Sequence, residues 1–113
     1  MSDSGEPVRQ MPTERQIDAA VRALALAGEP SRLRILWALS SDEMDVTSLA
    51  TLARITATAA SQHLAKLRLA GLVTARRQGR RVLYSAHRAH VRRLIAEALF
   101  HGDHEASGEP AHD

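Results

Sequence analysis

Between Thr56 and Lys66 the chain gathers small and mid-sized hydrogen-bonding side chains: Thr56, Thr58, Ser61, Gln62 and His63, closed by Lys66. A second group follows, Arg76, Arg77, Arg80 and Arg81, set around Gly79. The first group can read the edges of nucleic-acid bases: a glutamine amide pairs bidentately with adenine, and Ser or Thr hydroxyls accept several bases. The second group suits phosphate oxygens and narrow minor grooves, because a guanidinium is always charged and presents a rigid fork of donors. Neither group needs a nucleophile or a carboxylate pair. Together they point to a polyanion with readable edges, double-stranded DNA.

The distribution of charge agrees. The formal net charge of the 113 residues is only +2, yet no Asp or Glu occurs from Val46 to Ala96. That stretch carries Arg54, Lys66, Arg68, Arg76, Arg77, Arg80, Arg81, Arg88, Arg92 and Arg93. Ordinary surfaces intersperse both signs, so a long acid-free segment implies a polyanionic partner. Other classes fall away. There is no cysteine, hence no disulfide framework, thiolate metal site or cysteine nucleophile. No apolar run reaches the ~18 residues that would suggest a membrane span, and the opening residues are too acidic and polar for a signal peptide. The expected location is the cytoplasm, with no membrane partner. Catalysis needs a poised acid, base or nucleophile in a cleft. The only clustered candidates are C-terminal histidines, so an enzyme is not expected.

These groups need elements to position them. Trp37, Tyr84 and Phe100 are the only aromatics, which leaves Leu, Ile, Val and Ala to build the core and favours helices. Ile17, Ala20, Val21, Leu24 and Ala27 follow helical spacing, with Thr13 as N-cap and Gly28 as C-cap. Pro30 opens a second helix, largely buried through Leu33, Ile35, Leu36, Trp37 and Leu39 and ending near Ser40. After a polar connection, Ser41 to Asp45, a short helix over 47–53 buries Leu49 and Leu52. A further helix over 57–70 stops at Gly71 and turns Leu64 and Leu67 inward. Residues 72–76 and 82–85 alternate as strands, with Gln78-Gly79 at the hairpin tip. A last helix over 87–101 carries Val91, Leu94, Ile95, Ala98 and Leu99 on one stripe.

The fold class is therefore α+β, mainly α: a winged helix-turn-helix of five helices and a two-stranded β-hairpin wing. The domain spans 14–101, between a disordered leader over 1–13 and an acidic, histidine-containing disordered tail over 102–113. The helix over 57–70 is the reading helix and the arginine hairpin the wing.

PSRLRILWAL, VTSLATLA, TAASQHLAKLRLAGLV and GRRVLYSA, in that order, resemble the ArsR/SmtB family of bacterial metal-sensing repressors. The resemblance covers roughly 15–104. It implies a homodimer joined through the first and last helices, which would give their apolar stripes a partner. It also implies binding to an inverted-repeat operator and release when an effector binds. The family's cysteine-rich effector motif falls near Val46 and is absent. Its other effector motif, on the last helix, reads Asp-x-His, ten residues, then His-x-x-Glu or His-x-x-His. Here Arg88-Ala89-His90 is followed, after ten residues, by His101-Gly102-Asp103-His104. This is most similar to the nickel/cobalt branch and implies His90, His101 and His104 as ligands for Ni2+, Co2+ or Zn2+, the metals that imidazoles suit. Arginine stands in the aspartate position, and a guanidinium does not ligate. Two other readings stand beside this one: the same repressor regulated through a partner protein or another ligand, and a sequence-tolerant architectural DNA-binding protein.

Overall fold

The computed structural model describes residues 10–108. In chain order they form α1 (Glu14–Ala27), α2 (Pro30–Leu39), α3 (Val46–Ala53), α4 (Ala57–Leu69), β1 (Val73–Gln78), β2 (Arg81–Ala86) and α5 (Ala89–Ala106).

Each of the first four helices starts where a side chain takes up an orphan backbone N–H. Thr13 and Gln16 form a reciprocal capping box at α1. The Glu29 carboxylate accepts from Arg32 N at α2, with Pro30 in the first turn. Asp45 caps α3 through Ser48 N, and Thr56 caps α4 through Ala59 N. Helix α5 begins at Arg88 without a side-chain cap.

Helix α2 lies at the centre, packed against α1, α3, α4, α5 and β2. The core joins Ile35, Leu36 and Leu39 of α2, Leu49 and Ala53 of α3, Leu64 and Leu67 of α4, Leu72 and Val73 at the entry to the hairpin, and Val91 and Ile95 of α5. Leu36, Leu49, Leu64 and Leu67 are wholly inaccessible. Burying a side chain of this size contributes about 1.5–3 kcal/mol.

Two residues expected in the core lie outside it. Trp37 is 56% exposed because Ile35, Leu36 and Leu39 already occupy the inward arc, leaving Trp37 beside Arg34 on the outer face. Leu52 is 48% exposed because α3 buries Leu49, Ala50 and Ala53. At about 100° per residue the middle of that arc lies roughly 100° from Leu52.

The strands run further toward the tip than expected. They pair antiparallel from Val73↔Ala86 to Gln78↔Arg81, so the turn is Gly79-Arg80 and Gln78 belongs to β1. Gly79 adopts φ +64° at the first central position, the place a two-residue type II′ hairpin reserves for glycine. The expected polar connection holds more structure than its composition suggests. Met44 pairs with Tyr84 as a one-residue third strand, through Met44 N–H to Tyr84 O at 3.1 Å and Tyr84 N–H to Met44 O at 2.9 Å.

Helix α5 continues past the expected end at His101 to Ala106, so five residues assigned to the tail are helical. The expected leader over 1–13 falls mostly, and the end of the tail partly, outside the described residues.

Candidate nucleic-acid interface

Helices α3 and α4 are joined by Arg54, Ile55 and Thr56. The sharp turn depends on Arg54, which closes α3 in the left-handed region at φ 61° and ψ 45°. Ile55 N–H then reaches back to Ala50 O at 3.0 Å. Buried Ala60, Leu64 and Leu67 fix the inward face of α4. The opposite face presents Thr58, Ser61, Gln62, Ala65 and Lys66, all exposed. This outward face is polar and shallow, with Ala65 at its middle, so backbone and base edges can approach closely.

Thr56 has a structural duty first. Its hydroxyl oxygen accepts Ala59 N–H at 3.1 Å, which leaves its O–H free to donate to a phosphate at the helix N-terminus. His63 is also set apart from the outward face. It is half-buried, and its Nδ1 lies 3.2 Å from Arg32 Nη1. Arg32 Nε donates to the Leu26 carbonyl in the last turn of α1. A single guanidinium thus ties the end of α1 to α4. Glu29 sits at the same corner. The Arg32 N–H donated to it, followed by the Ser31 N–H and the nearby His63 and Arg32, holds its carboxyl below the usual range against some opposing desolvation.

The four wing arginines divide into two pairs. Arg76 donates bidentately to Glu43, at 2.7 Å from Nε and 2.6 Å from Nη2. Arg81 meets Asp45 at 3.2–3.3 Å. These two acids flank Met44, the residue that extends the sheet. The hydrogen bond from Arg76 keeps the Glu43 carboxyl below its usual value and raises the Arg76 guanidinium in turn. Asp45 is lowered mainly by the Ser48 N–H that it accepts, with Arg81 adding to the effect. Arg77 and Arg80 have no ion pair among the described residues. Arg68 of α4 and Arg77 line one hollow with Ala75, Arg76 and Val82, while Tyr84 and Ser61 line a neighbouring one between α4 and the sheet.

Sequence reasoning did not single out Arg32, Glu43, Met44, Asp45 or Arg68. For Glu43 and Asp45 a signal existed: two acids spaced by one residue, a strand-like alternation, just before the acid-free stretch.

His90, His101 and His104 all lie on α5. His90 and His101 are eleven residues apart, about 16 Å along a helix, so one chain does not bring them together. Among the described residues no three His, Cys, Asp or Glu side chains converge as a metal site. The His104 ring packs edge-on against Phe100 with centroids 4.7 Å apart. Arg88, in place of the expected acid, is the N-cap residue of the same helix.

Residues 29–75 match the family model described as bacterial regulatory protein, arsR family. The chain is 38% identical over 97 residues to the HTH-type transcriptional regulator KmtR of Mycobacterium tuberculosis, covering 86% of this chain and 75% of KmtR. It is 39% identical over 89 residues to the regulator NmtR of the same organism, covering 79% and 72%. Among solved structures, the homodimeric winged helix-turn-helix DNA-binding domain of Mb0332 from Mycobacterium bovis superposes with a TM-score of 0.77 at 29% identity, covering 98% of this chain and 100% of that one. HlyU from Vibrio cholerae superposes with a TM-score of 0.70 at 32% identity, covering 76% and 94%. No helix among the described residues is long and apolar enough to cross a membrane. With the polar outward face of α4, the basic wing and these relatives, the chain belongs to the arsR family of bacterial regulatory proteins, as a winged helix-turn-helix transcriptional regulator and not an enzyme.

Proposed function

We propose that the chain is a transcriptional repressor that binds an inverted-repeat operator as a homodimer, with α4 in the major groove and the wing along the neighbouring backbone. The observation that carries this reading is the outward face of α4, where Thr58, Ser61, Gln62 and Lys66 are exposed while Ala60, Leu64 and Leu67 anchor the helix. Thr56, Arg77 and Arg80 complete the contact set, while His63, Arg76 and Arg81, the other residues expected there from sequence, lie beside it against Arg32, Glu43 and Asp45. The homodimer has its own support. Helix α1 buries only Ala27, and Val21 and Leu24 are more than half exposed. Leu94, Leu99 and Phe100 of α5 are exposed too, and α1 and α5 together line an apolar hollow through Leu24, Ala27, Leu94, Ile95 and Ala98. A second copy would cover these faces. The test is a footprint on the DNA upstream of the chain's own gene. Protection of one palindrome that survives excess competitor DNA supports the reading, and uniform coating supports an architectural protein instead.

The effector reading is finer. Regulation by nickel, cobalt or zinc requires donors from two chains, His90 of one protomer with His101 and His104 of an antiparallel partner helix. The three histidines lie within about 60° of one another around α5, which favours it. Arg88 favours the second reading, a repressor whose signal comes from a partner protein or another ligand. Calorimetry with each metal, repeated on His101→Ala, separates the two. Tight binding lost in the variant supports the metal, and no tight binding beside intact operator binding supports the other source.

A further inference from the structure

The two classes of wing arginine have a consequence for how the wing meets DNA. We propose that Glu43 and Asp45 are positioning residues that staple the wing through Arg76 and Arg81, leaving Arg77 and Arg80 as its phosphate contacts. This rests on the DNA-binding reading above and divides its wing residues by role.

Register carries the argument. In the β1–β2 pairing Arg76 stands opposite Leu83 and Gln78 opposite Arg81, so Arg76 and Arg81 share one face of the hairpin with buried Leu83. Met44 pairs with Tyr84, which places its neighbours Glu43 and Asp45 beside Ser85 and Leu83, on that same face. The acids and the two arginines therefore face each other by backbone construction. Arg77 stands opposite Val82 on the other face, and Arg80 sits in the turn.

Electrostatics gives the consequence. A bidentate carboxylate already occupies two donors of the Arg76 guanidinium. The pair is neutral, and its carboxylate repels an approaching phosphate. Isolated surface pairs of this kind are weak, but here the backbone bridge at Met44 holds the acids in place, and Asp45 is further fixed as the α3 cap. Four arginines in the sequence thus act as two net positive charges toward DNA. Neutralising a phosphate displaces condensed counterions, and each contact adds about 0.9 to the slope of log affinity against log salt.

The experiment measures that slope by fluorescence anisotropy, using a labelled duplex of about 30 base pairs selected from a random pool by the wild-type chain. Arg77→Gln and Arg80→Gln should each flatten the slope by about 0.9 for every wing engaged. The paired changes Arg76→Gln with Glu43→Gln, and Arg81→Gln with Asp45→Asn, should weaken affinity several-fold at every salt concentration as the staple is lost, while leaving the slope within about 0.3 of wild type, well below one contact. Asn preserves the helix cap. In parallel, NMR of the arginine Nε–H groups should show Arg76 and Arg81 unmoved by DNA, and Arg77 and Arg80 shifted. Flattening in the paired variants as large as in Arg77→Gln overturns the proposal, as does a shift of the Arg76 and Arg81 signals on DNA. A wild-type chain that selects no duplex at any salt concentration overturns the DNA-binding reading itself.

Discussion

At the scale of residues, sequence spacing shows which side chains share the outward face of α4 and not how they are wired to the rest of the chain. Thr58, Ser61, Gln62 and Lys66 stand on the outward face of α4 because a period of 3.6 residues separates them from Ala60, Leu64 and Leu67, and that period is written in the chain. The Arg32–His63 contact joins residues 31 apart, and the Glu43–Arg76 pair joins residues 33 apart. Such partners meet only through tertiary packing, so local patterns show at most the alternation of Glu43 and Asp45 and not the arginines they meet. Replacing Gln62 with Ala is expected to relax discrimination at one base pair, costing about 1–3 kcal/mol toward the preferred sequence and less toward others. Competition anisotropy on single-base operator variants measures this. His63 is expected to act through Arg32: His63→Ala should weaken operator binding, Arg32→Gln at least as much because it also removes the bond to the Leu26 carbonyl, and the double variant should be no worse than Arg32→Gln alone. Acid should loosen the corner and the staple. The carboxyls of Glu29, Glu43 and Asp45 are all held below their ordinary values in the folded chain. Their stabilising contribution is present in full above the ordinary carboxylate range, near pH 4, and is lost as pH falls through the lowered values. Urea midpoints should therefore fall as pH drops below about 4, less steeply in Glu43→Gln.

At the scale of elements, capping signals and apolar spacing set the helices closely. Thr13, Pro30 and Gly71 fall where the chain enters or leaves a helix. What they do not set is which side of a mainly apolar helix faces in. Helix α2 is apolar at Leu33, Ile35, Leu36, Trp37 and Leu39, and only packing against five other elements decides that Trp37 stays outside. Leu52 on the short α3 has the same history. The hairpin was visible as alternation around a glycine, but the third strand at Met44 was not, because one residue has no periodicity. Leu64→Ala, at a wholly buried site of α4, should cost about 2–5 kcal/mol in denaturant unfolding. The left-handed Arg54 carries a steric cost that glycine avoids. Arg54→Gly should therefore raise stability by about 0.5 kcal/mol, the strain relieved less the added entropy of the unfolded chain. A fall in the urea midpoint would show that the Arg54 side chain contributes more than its backbone costs.

At the scale of the whole molecule, one chain is an incomplete object. Its reading helix is firmly packed, yet the apolar faces of α1 and α5 stand in solvent at Val21, Leu24, Leu94, Leu99 and Phe100. That surplus is readable from composition as two stripes with too little core to cover them, and a second copy resolves it. Leu24→Glu should shift the sedimentation coefficient to that of a monomer while leaving the helical circular dichroism of the domain in place. On the proposed reading a dimer also fixes how DNA is read, because two copies of α4 related by a twofold axis would enter successive major grooves on one side of the duplex. Hydroxyl-radical footprinting with guanine-N7 methylation interference tests this most directly. Two symmetric protected half-sites centred about 34 Å apart are expected, with interference in the major groove of each. Protection without a repeated half-site, or binding indifferent to major-groove methylation, would contradict this reading.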